Sequence, residues 1–305
     1  MTFDLKHLCL ALALAGLPAL SQAENAAAVA QPQAAVSVLA SLPVTHTLAS
    51  ALLDGTTVKL ERAAPANIPA SRQPSYFSGR GGASLQKAAG QADAVVALRS
   101  IWSDDPLYPI ARRSNIRIIE IDAARPVDGA LPGIAVQGND AFSAYPWLNP
   151  TNLGRMADVL AHDLGRLSPK DQTKIQANLA SVKRQLLELS AGSESRLADA
   201  DNLSVINLSE RLDYLISGLN LDLIDHPHVA DDQWSAAALK QLGDELKEQE
   251  VALVLHHKQP SKEVADVISA SGAKLLVIDT DPQDTLAGLK ASVEQVVNAL
   301  AAGNS

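Results

Sequence analysis

Short apolar runs alternate with helical stretches along most of the chain. Residues 36–42, 58–62, 94–98 and 116–121 read as strands, each a brief β-branched or apolar run bounded by turn residues. Residues 46–53, 84–92 and 106–114 read as the helices between them. The alternation resumes after residue 200, with strands at 203–208, 221–224, 251–256 and 273–279. Its helices fall at 210–217, 235–248, 261–271 and 284–301. Strands that are apolar along their length belong to a parallel sheet covered on both faces. The predicted class is therefore α/β, with two β/α lobes of similar size.

Two helical stretches separate the lobes. The first spans 151–167 and the second 168–190, extendable to Leu197. In the second, Ser168 is the expected N-cap, Pro169 the first helical residue, and Asp171 a carboxylate in the first turn. Ile175, Leu179, Val182, Leu186 and Leu189 recur at spacings of 3 and 4, so one stripe of this helix is apolar. A helix of that length spans roughly 30–45 Å, enough to run beside both lobes.

The start of the chain reads differently. Lys6 and His7 precede an apolar run at 8–20, and Ser21-Gln22-Ala23 supplies small residues before a cut at Glu24. Residues 1–23 are thus expected to be a secretory signal peptide and 24–35, rich in Ala, Gln and Pro, a flexible lead-in. The organisation that follows is an N-terminal lobe at 36–167, a linking helix at 168–200 and a C-terminal lobe at 201–305. No other stretch approaches the ~20 apolar residues of a membrane span. The single cysteine, Cys9, leaves with the leader, so the mature chain has no disulfide and no thiolate ligand. A periplasmic location is expected.

Composition narrows the partners. A formal net charge of −9 without a basic stripe speaks against nucleic acid. Aromatic residues make up 3% of the chain, so the core must be built from Ala, Leu, Val and Ile. There is no Gly-x-Ser-x-Gly, no His-Glu-x-x-His and no GxGxxG opening the first helix, and no enzymatic activity is expected.

Tyr145-Pro146-Trp147-Leu148-Asn149-Pro150 resembles the motif Asp-Pro-His-x-Trp-Leu-Asp-Pro of periplasmic metal-binding proteins, the receptors of zinc and manganese ABC importers. The single long helix between paired lobes and the closing run from Gly272 to Asp279 resemble the same family. The resemblance implies a ligand cleft between the lobes, with four metal-ligand positions in loops after strands, two per lobe. The first falls within the loop 73–82, which has no His but carries Tyr76 and Arg80. The second is Tyr145, where the family has His. The third is Ser209, with Glu210 one step away, and the fourth is Asp279.

Further candidates come from the residues themselves. His256-His257 and His226-Pro227-His228 both follow second-lobe strands, and imidazole with carboxylate suits zinc, copper or iron. Arg99 and Trp102, after a first-lobe strand, offer a cationic fork and an aromatic plate suited to a chelate or organic anion. Two cargoes follow. One is a transition-metal ion (zinc, manganese or iron) on Asp279, Glu210 and the second-lobe histidines. The other is a metal chelate such as a siderophore complex on Tyr76, Arg99, Trp102 and Tyr145. The expected protein is a monomeric solute-binding protein that delivers its cargo to an inner-membrane ABC permease, with small lobe movements. The alternative is a non-transporting periplasmic accessory protein, for example in siderophore-iron handling, with a vestigial metal site.

Overall fold

A computed structural model describes residues 35–136, 142–227, 229–230 and 232–301. The signal-peptide and most of the lead-in expectations, and His228, lie outside the described residues.

The first lobe is a four-stranded parallel sheet of β1 (Ser37–Ala40), β2 (Lys59–Arg62), β3 (Ala94–Ala97) and β4 (Ile119–Asp122), in the order β2-β1-β3-β4. Its helices are α1 (Pro43–Leu53), α2 (Gln73–Ser78), α3 (Gly82–Ala89) and α4 (Leu107–Ser114). After α5 (Pro150–Leu167) and α6 (Gln172–Leu197), the second lobe repeats the plan. Its strands β5 (Ser204–Asn207), β6 (Asp222–Asp225), β7 (Leu253–His256) and β8 (Lys274–Val277) pair in the order β6-β5-β7-β8, again parallel. Its helices are α7 (Asp213–Gly218), α8 (Ala236–Glu248), α9 (Lys262–Ser271) and α10 (Thr285–Ala301).

Strand composition explains strand position. The central β3 and β7 are buried throughout and read Ala-Val-Val-Ala and Leu-Val-Leu-His. The edge strands β2, β4, β6 and β8 carry Lys, Glu or Asp, as sheet margins exposed to water require. Among the described residues no helix is long and apolar enough to cross a membrane.

The α/β class with paired parallel sheets is as predicted, and three local details differ. The first helix begins at Pro43 rather than residue 46, because Pro at the first helical position presets the backbone. The segment 73–82, read as a loop, holds α2 and the start of α3. Gln73, wholly buried, donates from Nε2 to the Ser41 carbonyl and ties α2 to the end of β1. Ser168 does not cap the linking helix: residues Pro169–Asp171 form a 3-10 turn, and Ser168 Oγ donates to Asp171. Asp171 also accepts from Thr57 N and Thr57 Oγ1, which pins the foot of α6 to the first lobe.

The predicted stripe faces inward. Ile175, Leu179, Val182 and Leu186 are buried and Leu189 is partly so. At 26 residues, α6 is about 39 Å long. It packs against α1 and α5 of the first half and against α10 of the second. One hydrophobic cluster consequently runs through both lobes, from Val38 and Leu160 to Leu253 and Val296. The lobes also meet directly at Gly218, where a Cβ would lie 3.3 Å from Asn149 Cα and 3.1 Å from Pro150 Cδ.

Candidate functional site

The proline-rich motif is a compact piece of local chemistry. Pro146–Leu148 form a 3-10 turn, and Asn149 then caps α5 by accepting from Thr151 N and Asn152 N, with Pro150 in the first turn. Entering that turn forces Tyr145 into the left-handed region, at φ 53° and ψ 62°. A non-glycine residue there costs roughly 1–2 kcal/mol, so the surrounding contacts must hold it.

They do so across the lobes. The Tyr145 hydroxyl donates to Asp281 Oδ1 at 2.9 Å, and Arg211 Nη1 donates to Asp281 Oδ2 at 2.8 Å. The Arg211 guanidinium carbon lies 4.9 Å from the centre of the Tyr145 ring. Burial, and then the neighbouring Asp281 carboxylate, push the Tyr145 phenol well above its ordinary value, with Arg211 acting the other way. The phenol therefore stays protonated and is a donor rather than a phenolate ligand. Tyr145→Phe keeps the ring and removes the cross-lobe bond. It is expected to cost about 1 kcal/mol in urea unfolding, since the acceptor is charged but largely solvated.

Tyr145 and Asp281 line a cavity of about 310 Å³ between the lobes. Its walls are mainly apolar: Pro43, Ile68, Pro69, Phe142, Trp147 and Pro282. Asp281 is the one carboxylate that lines it among the described residues. The aromatic wall is continuous. Trp147 lies 4.8 Å from Tyr145 and 5.4 Å from Phe142 between ring centres, and Phe142 stacks on Trp102 at 4.5 Å. Opposite them, Gln283 closes the rim by donating to Ala66 O and accepting from Arg62 Nη1. Thr47 Oγ1 reinforces this edge by accepting from Thr285 N.

A second pocket, of about 410 Å³, lies at the carboxyl ends of the second-lobe strands. It gathers Ser209, Glu210, Arg211, His226, His256 and His257; Arg211 does not line the first cavity and meets it through its bond to Asp281. Here His256 Nδ1 accepts from His257 N, His257 Nδ1 lies 2.7 Å from Ser209 Oγ, and His226 Nδ1 lies 3.2 Å from Asp213. Among the described residues no group of three His, Cys, Asp or Glu side chains converges as a metal site.

The remaining candidates are dispersed. Asp279 lines neither pocket, and its carboxylate accepts from Asp281 N within the turn after β8. Arg99 pairs with Glu120, and Trp102 backs the aromatic wall without lining the cavity. Tyr76 packs edge-on against Phe77 beneath Arg80 and does not line the cavity. From the segment after β2, it is Ala66–Ala70 that reaches the cleft, not residues 73–82. Sequence reasoning missed Arg211, Asp281 and Phe142. The first two lie within two residues of positions it had singled out, Ser209 and Asp279, so the signal was one of offset.

Comparison with known proteins places this architecture. The family model described as zinc-uptake complex component A, periplasmic (ZnuA), matches residues 83–300. A crystal structure of ZnuA is similar at 23% identity over 87% of this chain and 98% of that one, with a TM-score of 0.65. The solute-binding protein FpvC of P. aeruginosa, in complex with Ni2+, is similar at 20% identity, covering 89% of this chain and 98% of that one, with a TM-score of 0.67. Zn(II)-bound AdcA of Streptococcus pneumoniae is similar at 17% identity over 87% of this chain and 58% of that one, with a TM-score of 0.65. No curated relative matches the sequence.

Proposed function

Because the chain belongs to the family of periplasmic zinc-uptake components, we propose that it is the solute-binding subunit of a metal importer that carries its metal as a complex. The cargo lies in the cavity between the lobes and is delivered to an ABC permease in the inner membrane. One observation carries this reading: both oxygens of Asp281 are already engaged, one by Tyr145 and one by Arg211. A bare transition-metal ion needs imidazole, thiolate or carboxylate lone pairs. This cavity offers instead an aromatic and prolyl wall with the amide of Asn67.

Such a surface suits the organic shell of a chelate. A planar ligand laid on Trp147, Tyr145 and Phe142 buries apolar area on both partners. A cavity of about 310 Å³ is at the small end for ligand sites, so it fits a small chelate or one aromatic arm of a larger siderophore complex. The role is capture and release rather than catalysis. Neighbours whose structures hold Ni2+ or Zn(II) support a metal cargo for this chain as well.

The test is a thermal-shift titration of chelator-stripped mature protein with zinc, manganese, iron and ferric-siderophore complexes. A ligand bound only by the native state raises the melting temperature by mass action. The expected result is a rise with a chelate and none with free ions. A rise with free ions alone would overturn the reading and move the cargo to Glu210, His226, His256 and His257. No rise with any of them would favour the accessory protein.

A further inference from the structure

We propose that Arg211 is the specificity determinant of the cleft: its guanidinium takes the place of a divalent cation between Tyr145 and Asp281, so that removing it lets the cleft accept a free metal ion. This deepens the chelate reading above and rests on it for the identity of the cargo.

The geometry is that of a cation site already filled from within. Arg211 Nη1 sits 2.8 Å from Asp281 Oδ2 and 3.3 Å from Thr280 Oγ1. The same guanidinium lies over the Tyr145 ring, taking up its negative face. The remaining carboxylate oxygen, Oδ1, accepts from the Tyr145 hydroxyl. An incoming divalent ion would have to meet a permanent positive charge at close range and displace it from the Asp281 carboxylate. Arginine cannot yield by losing its proton, nor would a lysine beside the Asp281 carboxylate at neutral pH, whereas histidine could.

The position of Arg211 in the chain makes this arrangement inherent to the fold. It belongs to the 3-10 turn Glu210–Leu212 that follows β5, while Asp281 follows β8 in the same lobe and Tyr145 comes from the other. With a side chain 34% exposed, Arg211 is not a core residue, and its replacement leaves the Tyr145–Asp281 bond in place to hold the turn. A neutral or anionic organic shell meets no such barrier. Its edge can accept from the guanidinium while its face rests on the aromatic wall.

The experiment compares the unchanged protein with Arg211→Ala, Arg211→His and Arg211→Lys. Each is titrated with zinc or manganese to about 1 mM, with melting temperature as the readout. R211H supplies an imidazole beside the Asp281 carboxylate, and a metal held tens-fold below its working concentration raises the midpoint by about 3 °C or more. The expected result is a gain for R211H and a smaller one for R211A over the unchanged protein. R211K, which keeps the charge, should show none. Adding Asp281→Asn to R211H should abolish the gain. If all four proteins respond identically to the ions, or if the gain survives loss of Asp281, the assignment is overturned. The two proposals fail separately: a gain in R211H without chelate binding by the unchanged protein sinks only the cargo, and the reverse sinks only the role of Arg211.

Discussion

Trp147→Ala is expected to lower the stability of the folded chain by about 3–5 kcal/mol and to abolish chelate binding. Trp147 is 5% exposed and belongs to the core cluster shared by the lobes, yet its ring also lines the cavity. Truncation removes the partner of Tyr145 and Phe142 on the aromatic wall. It also loosens the turn that holds Tyr145 in its left-handed conformation. Urea unfolding followed by far-ultraviolet circular dichroism gives the stability loss, and a fluorescence titration with chelate gives the binding loss. Trp147→Phe should restore much of the stability. An alanine variant that binds chelate as well as the parent would remove the wall from the site.

Asp105→Ala is expected to cost about 2–5 kcal/mol, because two buried backbone N–H groups lose their acceptor together. Asp105 is 1% exposed; its Oδ2 accepts from Leu98 N and its Oδ1 from Leu107 N. These bonds brace the loop that carries Trp102, and Trp102 stacks on Phe142 at the cleft wall. A first-lobe carboxylate thus supports the cavity without touching it. Burial raises the Asp105 carboxyl above its ordinary value, with the two N–H bonds opposing and Asp122 adding to the rise. A folded-state value raised above the unfolded one means that the folded state takes up the proton first. The stability difference between parent and D105A should therefore widen as pH falls through the raised value, and level off below about 3.9, the unfolded value. A difference that narrows on acidification would show the carboxylate to be stabilised in its charged form.

The architecture was legible because its signal is long-range and repetitive. Eight short runs alternating with helical stretches leave few alternatives to paired parallel sheets, and the stripe from Ile175 to Leu186 leaves one face for α6 to bury. Short features were harder to read. Helix α2 has six residues with Pro and two Ser, and its anchor is a tertiary bond from Gln73 to Ser41 that no local pattern encodes. The site was legible only to the nearest turn. Asp279 stands at the strand end where a ligand was expected, but its carboxylate is consumed in holding the N–H of Asp281, and this places Asp281 in the cavity. In the turn after β5 it is Arg211 that bonds Asp281, while Ser209 turns to His257. Which residue of a turn meets the cleft depends on hydrogen bonds inside that turn, and residue type alone does not specify them.

The packing of α1 against α10 has a consequence for biogenesis. Thr47 in α1 bonds to Thr285 at the start of α10, 238 residues away, and both helices lie on α6. Any chain that emerges N-terminus first, from a ribosome or from an export pore, presents α1 long before its last partner arrives. The face of α1 that packs on α10 then waits for the last helix to be made. Contacts this distant in sequence make assembly slow and leave the nascent chain open to aggregation. The early half of this protein is thus the part most in need of protection until its final helix is in place.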